Sequence, residues 1–152
     1  MMTTKRNPFS TLRTLVLGCI CIGLSAIASG QEKLDPNKKY TAACVAFYNF
    51  ENLFDTLATE DVRDSEFTPE GHKKWTSEKY WHKLGRLDEV VSQLGVEVSP
   101  DGAAVIGVSE IENKSVLEDF VKQERVKGRN YQIVHYNSPD KRGIDVALLY
   151  QP

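Results

Sequence analysis

Four short runs of apolar residues along the chain have the length and composition of β-strands. They cover residues 41–48, 103–108, 131–136 and 144–150. The first two runs are apolar at nearly every position, which is typical of strands that are covered on both faces of a sheet. The turn-forming segment NSPDKRG separates the last two runs, so these predict two neighbouring strands.

The segment between the first two runs contains a long loop and then an amphipathic helix. Residues 53–75 follow no sustained period, and loops of this length in a compact domain are commonly functional or mobile. Thr76 and Ser77 are suitable N-terminal caps for the helix, and Gly95 is suited to ending it. One apolar stripe at spacings of four and three runs along this helix: Tyr80, Leu84, Leu87, Val91 and Leu94.

A second helix is predicted after the second strand. Ser115 and Glu118 have the spacing of a capping box, and the helix is expected to end near Gly128. The resulting order is strand, helix, strand, helix, strand, strand. This order indicates an α/β or α+β domain whose strands run in mixed directions.

The first 30 residues have the composition of a secretory signal peptide. Lys5, Arg6 and Arg13 precede a largely apolar run at residues 15–27, and small residues follow that run. The run is short for a membrane span, although an uncleaved N-terminal anchor is the alternative interpretation. We therefore expect an exported protein, either periplasmic or secreted, with a signal peptide at residues 1–30.

The remaining chain consists of a polar linker at residues 31–40 and a folded domain at residues 41–152. The full sequence has 19 Lys and Arg against 21 Asp and Glu. The signal peptide holds three of the basic residues and no acidic one, so the remainder has a net charge of −5. This charge argues against nucleic-acid binding by bulk electrostatics alone. Cys44 is the one cysteine outside the signal peptide, so no disulfide framework is expected. Its position inside an apolar run predicts a small buried side chain.

Both buried strands are followed by polar residues. Asn49 and Glu51 follow the first strand, while Glu110, Glu112 and Asn113 follow the second. Ligands of α/β sheets gather beyond the carboxyl ends of strands, so these side chains are expected to converge on one crevice. Carboxylate and amide oxygens suit a hard cation such as Mg²⁺, which takes few protein carboxylates and keeps several waters. Taken singly, each residue could equally cap a turn or a helix.

Three segments in this order carry a family resemblance: FYNFENLFDT, VIGVSEIEN and SPDKRGIDVALLY. In them the chain resembles the endonuclease/exonuclease/phosphatase superfamily, which includes exonuclease III, deoxyribonuclease I and neutral sphingomyelinases. The resemblance covers residues 41–150. It implies a four-layer α/β/β/α sandwich of two mixed sheets with an active site at one end. Because the sequence stops directly after an apolar strand, we expect it to contain only the first four strands of such a sandwich.

The resemblance also implies roles for individual residues. Asn49 matches the family's asparagine beside metal and scissile phosphate, and Glu110 matches the metal-binding glutamate of the second strand. Family members usually have glutamine before that glutamate, where this chain has Ser109. Arg142 and Asp145, around the start of the last strand, would point toward the substrate.

The implied reaction is hydrolysis of a phosphoester bond with Mg²⁺, or Mn²⁺ or Ca²⁺, as cofactor. Members of the family complete the site with later Gly-Asp-x-Asn-like and Asp-His elements, which this sequence lacks. His72, His82 and His135 have no aspartate beside them in the sequence, so they are predicted to be structural or surface residues. We therefore expect the 152-residue chain to be an inactive N-terminal fragment of an enzyme.

Three functional hypotheses follow. The first is an exported metal-dependent nuclease that hydrolyses phosphodiester bonds. The second is a phosphatase or a phospholipid-headgroup hydrolase of the same fold, because the residues present do not distinguish these substrates. The third is an exported non-catalytic binding module. No membrane span is expected after removal of the signal peptide, and the sequence predicts no particular oligomeric state.

Overall fold

The computed structural model describes residues 34–152, which fall into a short segment at 34–40 and a folded unit at 41–152. The predicted signal peptide and the first three residues of the predicted linker lie outside the described residues. Within residues 34–152, no helix has both the length and the apolar character needed to cross a membrane.

The folded unit contains the six elements that the hydrophobic pattern predicts, in the order β1, α1, β2, α2, β3, β4. The strands are β1 (Cys44–Leu53), β2 (Ala103–Ile111), β3 (Gln132–His135) and β4 (Asp145–Tyr150). The helices are α1 (Ser77–Val91) and α2 (Lys114–Phe120), and short 3₁₀ turns lie at Ser65–Phe67 and Lys127–Arg129. The described residues therefore form a mixed α/β fold.

The four strands form one mixed sheet in the spatial order β1-β2-β4-β3. Strands β1 and β2 are parallel, whereas β4 is antiparallel to both β2 and β3. The prediction of mixed strand directions is confirmed. The second sheet of the predicted four-layer sandwich is not found among residues 34–152.

Both helices pack against one face of this sheet and form the core with it. Tyr80, Leu84, Leu87 and Val91, from the predicted stripe, are the buried apolar residues of α1. They join side chains of the sheet and of α2 in one hydrophobic cluster. Within that cluster the rings of Phe50 and Phe120 meet edge to face, with centroids 4.9 Å apart.

The opposite face of the sheet is apolar and exposed. Val45 and Phe47 on β1 are 74% and 69% exposed, and Val146 on β4 is 65% exposed. The prediction that β1 is covered on both faces is therefore wrong for the described residues. The physical reason is that α1 and α2 both pack on the other face, where the clustered side chains of the sheet lie.

The helix caps are partly as predicted. Thr76 caps α1 and accepts a hydrogen bond from the backbone N–H of Lys79. Helix α2 is capped by Asn113, whose side chain accepts from the backbone N–H of Val116, and not by the predicted Ser115. Because asparagine is as strong an N-cap as serine, the earlier of the two residues starts the helix. Helix α2 ends at Phe120, well before Gly128.

Three aromatic residues stabilise the long loop between β1 and α1. The rings of Phe54 and Phe67 stack with centroids 4.0 Å apart, and Trp75 meets Phe67 edge to face at 6.2 Å. The indole N–H of Trp75 donates to the carbonyl oxygen of Phe54, at 3.0 Å. The loop is therefore attached at both ends, and it brings the start of α1 close to the end of β1.

Candidate functional site

The carboxyl ends of β1 and β2 lie at the same edge of the sheet, because these strands are parallel neighbours. Asn49 on β1 is in register with Ser109 on β2, and Glu110 follows directly. The next pair in register is Leu53 with Ile111, so the ladder is interrupted between these points. The structure thus places the two predicted metal-site residues, Asn49 and Glu110, at one sheet edge.

The interruption consists of a bulge in each strand, and left-handed residues form it. The backbone angle φ is 53° at Glu51 and 60° at Asn52 in β1, and 56° at Glu110 in β2. A residue other than glycine in this conformation costs about 1–3 kcal/mol, and such residues are concentrated at functional sites. Bulges also redirect side chains from the regular alternation of a strand. The backbone at this edge therefore has the strained conformation that is common at functional sites.

Asn49 is exposed and is held by a local hydrogen bond. Its side-chain oxygen accepts from the backbone N–H of Glu51, at 2.7 Å. This Asx turn fixes the orientation of the amide just before the left-handed residues. The side chain is consequently held at the surface of the sheet edge, where a ligand can reach it.

Glu110 lies half-buried at the same edge, and none of the ion pairs within residues 34–152 includes its carboxylate. Two cations nevertheless lie close enough to be affected by its negative charge, namely Lys83 and Arg142. The carboxylate therefore stands in a positive environment.

Lys83 extends from α1 to the bulged end of β1. Its ammonium group donates to the backbone carbonyl oxygens of Glu51 and Asn52, the latter at 3.3 Å. Burial lowers the pKa of Lys83, while the carboxylates of Glu51 and Glu110 oppose that shift. Lys83 thus stabilises the left-handed segment and adds positive charge beside Glu110. Although Lys83 lies off the apolar stripe of α1, its side chain is half-buried and bonded to β1.

Arg142 is exposed in the turn before β4 and pairs with Asp140. The guanidinium donates to the carboxylate of Asp140 through Nη2 at 2.7 Å and through Nε at 3.2 Å. Hydrogen bonding between the two side chains raises the pKa of Arg142 and lowers the pKa of Asp140. The charge of Glu110 makes a smaller contribution to the pKa of Arg142 in the same direction.

Asp145 is buried, and both of its carboxylate oxygens are engaged. One accepts from the backbone N–H of Ser138 at 2.8 Å, and the other lies 2.8 Å from Nε2 of His135. The structure thus gives His135 the aspartate partner that it lacks in the local sequence. Sequence reasoning missed this pair because the two residues come from different strands of an antiparallel pair. The sequence predicted the two neighbouring strands but not the register between them, which brings His135 and Asp145 together.

A second polar network joins the end of β2 to the long loop. The carboxylate of Glu112 accepts from the backbone N–H of Asp55 at 2.7 Å and from the hydroxyl of Thr59 at 3.2 Å. Asn113 donates to Asp55 at 3.1 Å. Burial raises the pKa of Glu112 to about 7, although these hydrogen bonds oppose the shift. Glu112 and Asn113 therefore belong to a network that anchors the loop.

A cavity of about 180 Å³ adjoins this network. It is lined by Thr59, Val62, Glu112, Asn113, Asn137, Ser138, Asp140, Gly143 and Asp145. The lining joins the long loop, the end of β2 and the turn that carries Arg142. These three segments therefore border the same cavity.

The residues at the sheet edge suit a hard cation that needs few protein ligands. Within residues 34–152, no group of three or more His, Cys, Asp or Glu side chains is arranged to hold a metal ion. Zinc-type sites, which need four or three such ligands, are therefore not supported there. A carboxylate and an amide oxygen fit Mg²⁺, which takes one or two carboxylates and completes its shell with water and substrate phosphate.

Comparison with protein families identifies the type of domain. A model described as "Endonuclease/Exonuclease/phosphatase family" matches residues 44–152, which is most of the chain. No curated protein and no solved structure matches the sequence. The matched residues include both strands of the candidate site and the turn that carries Arg142.

Proposed function

Because the chain belongs to the endonuclease/exonuclease/phosphatase family, we propose that it serves as an exported metal-dependent nuclease. Membership itself indicates a phosphoester hydrolase of this general type. The observation that carries the finer proposal is the sheet edge with Asn49 and Glu110. There, Glu110 has left-handed backbone and a half-buried carboxylate without an ion-pair partner among the described residues, at the same sheet edge as the amide of Asn49.

The proposal gives each residue at the edge a distinct role. Glu110 and Asn49 would hold Mg²⁺, or Mn²⁺ or Ca²⁺, which would polarise a phosphoryl oxygen and stabilise its developing negative charge. The amide nitrogen of Asn49 would also donate a hydrogen bond to a phosphate oxygen. Lys83 holds the backbone of the bulge in β1 through two carbonyl oxygens.

Arg142 and Asp145 have different parts in this proposal. The exposed guanidinium of Arg142 would attract the substrate phosphate, and its ion pair with Asp140 limits its motion. Asp145 is buried and bonds the backbone of Ser138, at the start of the same turn. We assign Asp145 to positioning this turn and not to direct contact with substrate.

The exposed apolar face of the sheet supports the four-layer fold. Val45, Phe47 and Val146 would be buried if a second sheet, formed outside residues 34–152, packed on this face. A large exposed apolar patch is unusual on a soluble monomer, so a covering layer accounts for it. We propose that this layer completes the α/β/β/α sandwich.

The proposed export rests on residues 1–30. Cell fractionation with N-terminal sequencing tests it, and the expected result is a protein outside the cytoplasm that begins near residue 31. Recovery of the intact N-terminus in the cytoplasm would contradict this part of the proposal without affecting the enzymatic part.

The central test is the substitution Glu110→Ala in the protein at its natural length. We expect Mg²⁺-dependent hydrolysis of DNA or RNA to fall by roughly a thousandfold, because the ion loses its carboxylate ligand. Circular dichroism melting should show that the variant folds. The substrate preference of the unmodified protein among nucleic acid, phosphomonoesters and phospholipids distinguishes a nuclease from its two alternatives.

Glu118→Ala is the matched control, because Glu118 is exposed on α2 and pairs with Lys114. This variant should retain full activity. Retained activity in Glu110→Ala would refute the metal-ligand assignment. Absence of metal-dependent hydrolysis of any phosphoester in the unmodified protein would favour the non-catalytic binding module.

A further inference from the structure

A second cleft lies beside the candidate active site, at the start of α1. It has a volume of about 440 Å³ and is lined by Trp75, Thr76, Glu78, Lys79, His82 and Lys83. Successive turns of α1 contribute Lys79 and Lys83, which are four positions apart and therefore lie on the same side of the helix. None of these residues has a role in the chemistry proposed at Asn49 and Glu110, apart from the support that Lys83 gives to β1.

The cleft is positively charged although the whole chain is slightly acidic. Lys79 and Lys83 form no ion pair with any carboxylate within the described residues. The ammonium of Lys79 donates to the carbonyl oxygen of Lys73 at 2.9 Å, which keeps it near the loop. Glu78 is the one acidic residue in the lining. This excess of positive charge suits an anionic ligand.

Trp75 gives the cleft an aromatic wall that is held in place. Its indole N–H donates to the carbonyl oxygen of Phe54, and its ring packs edge to face with Phe67. The ammonium of Lys83 lies over the ring of Trp75, 5.7 Å from its centroid. A fixed aromatic side chain together with lysines is the combination that binds single-stranded nucleic acid, through base stacking and phosphate contacts.

Lys83 belongs both to the cleft and to the candidate active site. Its ammonium bonds the carbonyl oxygens of Glu51 and Asn52, at the bulged end of β1, and it is affected by the charge of Glu110. The cleft is therefore continuous with the sheet edge where the scissile phosphate is expected. A nucleic-acid strand bound at this edge can therefore extend into the cleft.

We propose that the cleft formed by Trp75, Lys79, His82 and Lys83 binds a nucleotide of the substrate strand next to the scissile phosphate. Lys79 and His82 contact its phosphate, and Trp75 contacts its base. The inference rests on the proposed nuclease function and identifies single-stranded nucleic acid as the form of substrate that the site takes. It also makes Lys79 a determinant of affinity for long substrates and not for small phosphodiesters.

Binding without cleavage tests the inference directly. The probe is a fluorescein-labelled single-stranded oligonucleotide of about ten nucleotides, measured by anisotropy in EDTA with the protein at its natural length. We expect Lys79→Gln to weaken binding roughly three- to tenfold and to reduce the salt dependence of log Kd by about 0.7. The control is Lys122→Gln, the same charge change at an exposed residue outside both cavities, which should bind as the unmodified protein does.

A kinetic comparison separates this inference from the proposed function. With Mg²⁺, Lys79→Gln should raise KM for the oligonucleotide and leave hydrolysis of bis(p-nitrophenyl) phosphate unchanged, because this small diester does not reach the cleft. If Lys79→Gln and Lys122→Gln hydrolyse each of the two substrates equally well, the cleft assignment is overturned and the nuclease proposal still stands. Absence of metal-dependent hydrolysis in the unmodified protein would instead overturn the nuclease proposal.

Two binding results would also overturn the inference. One is an unmodified protein that does not bind the oligonucleotide. The other is loss of binding to phosphatidylglycerol vesicles in Lys79→Gln while oligonucleotide binding is retained, since this would identify the cleft as a site for anionic lipid. Circular dichroism melting of each variant confirms that the comparisons are made between folded proteins.

Discussion

Glu110 has a left-handed backbone inside a strand, with φ at 56°. Alanine in this conformation costs roughly 1–2 kcal/mol, whereas glycine adopts it without steric cost. We therefore expect Glu110→Gly to be about 1 kcal/mol more stable than Glu110→Ala, by urea denaturation. Both variants should lack metal-dependent activity, since both lack the carboxylate.

The neighbouring position Ser109 provides the control, because it lies in the same strand and its φ is not positive. At Ser109 alanine should be more stable than glycine by about 0.5–1 kcal/mol, which is the usual order within a strand. The same order at both positions would show that Glu110 is not strained in solution. If glycine is the more stable residue in place of Glu110 and alanine the more stable in place of Ser109, the backbone at the proposed metal-binding carboxylate lowers the stability of the protein.

At the scale of elements, Tyr80 connects α1 to α2 and predicts a pH dependence. Its buried hydroxyl donates to the carboxylate of Asp119 at 2.9 Å, and burial followed by this hydrogen bond raises the pKa of Tyr80. A raised pKa means that the folded state keeps the phenolic proton at a pH where the unfolded state, with a pKa near 10, releases it. The contribution of Tyr80 to stability is therefore complete below pH 10 and is lost as pH rises above it.

Comparison with Tyr80→Phe isolates this effect. Near neutral pH the phenylalanine variant should be less stable by about 1 kcal/mol, because it lacks one hydrogen bond. As pH rises above about 10, the difference should shrink, since deprotonation favours the unfolded state of the unmodified protein alone. Denaturation at pH 7, 9 and 10.5 measures this difference. A constant difference across that range would contradict the assignment.

The elements themselves were largely predictable from the sequence, because each has a strong hydrophobic period or a clear cap. The stripe of α1 and the cap at Thr76 are examples. The start of α2 was less predictable, since Asn113 and Ser115 are both good caps and local sequence does not rank them. The bulges at Glu51 and Glu110 were not predictable, because no glycine marks the left-handed positions.

At the scale of the whole molecule, contacts between distant segments were the hardest to predict. The sequence showed Asn49 and Glu110 at strand ends, and the parallel pairing of β1 with β2 places both at one edge. The sequence did not show that the side chain of Lys83 extends from α1 to β1, or that His135 is hydrogen-bonded to Asp145. These contacts depend on the docking of a helix and on the register of a hairpin, neither of which leaves a local pattern.

The two faces of the sheet lead to the final prediction. Val146 is 65% exposed on one face, whereas Val108 is fully buried on the face that carries the helices. Threonine has nearly the same shape as valine but adds a hydroxyl, so it is costly only where water and partners are excluded. For the 152-residue chain we expect Val108→Thr to cost about 1–3 kcal/mol and Val146→Thr to cost less than about 0.5 kcal/mol in urea denaturation. Equal costs would show that the face with Val146 is covered in solution. A protein that carries the proposed second sheet should show such equal costs, because Val146 would then be as buried as Val108.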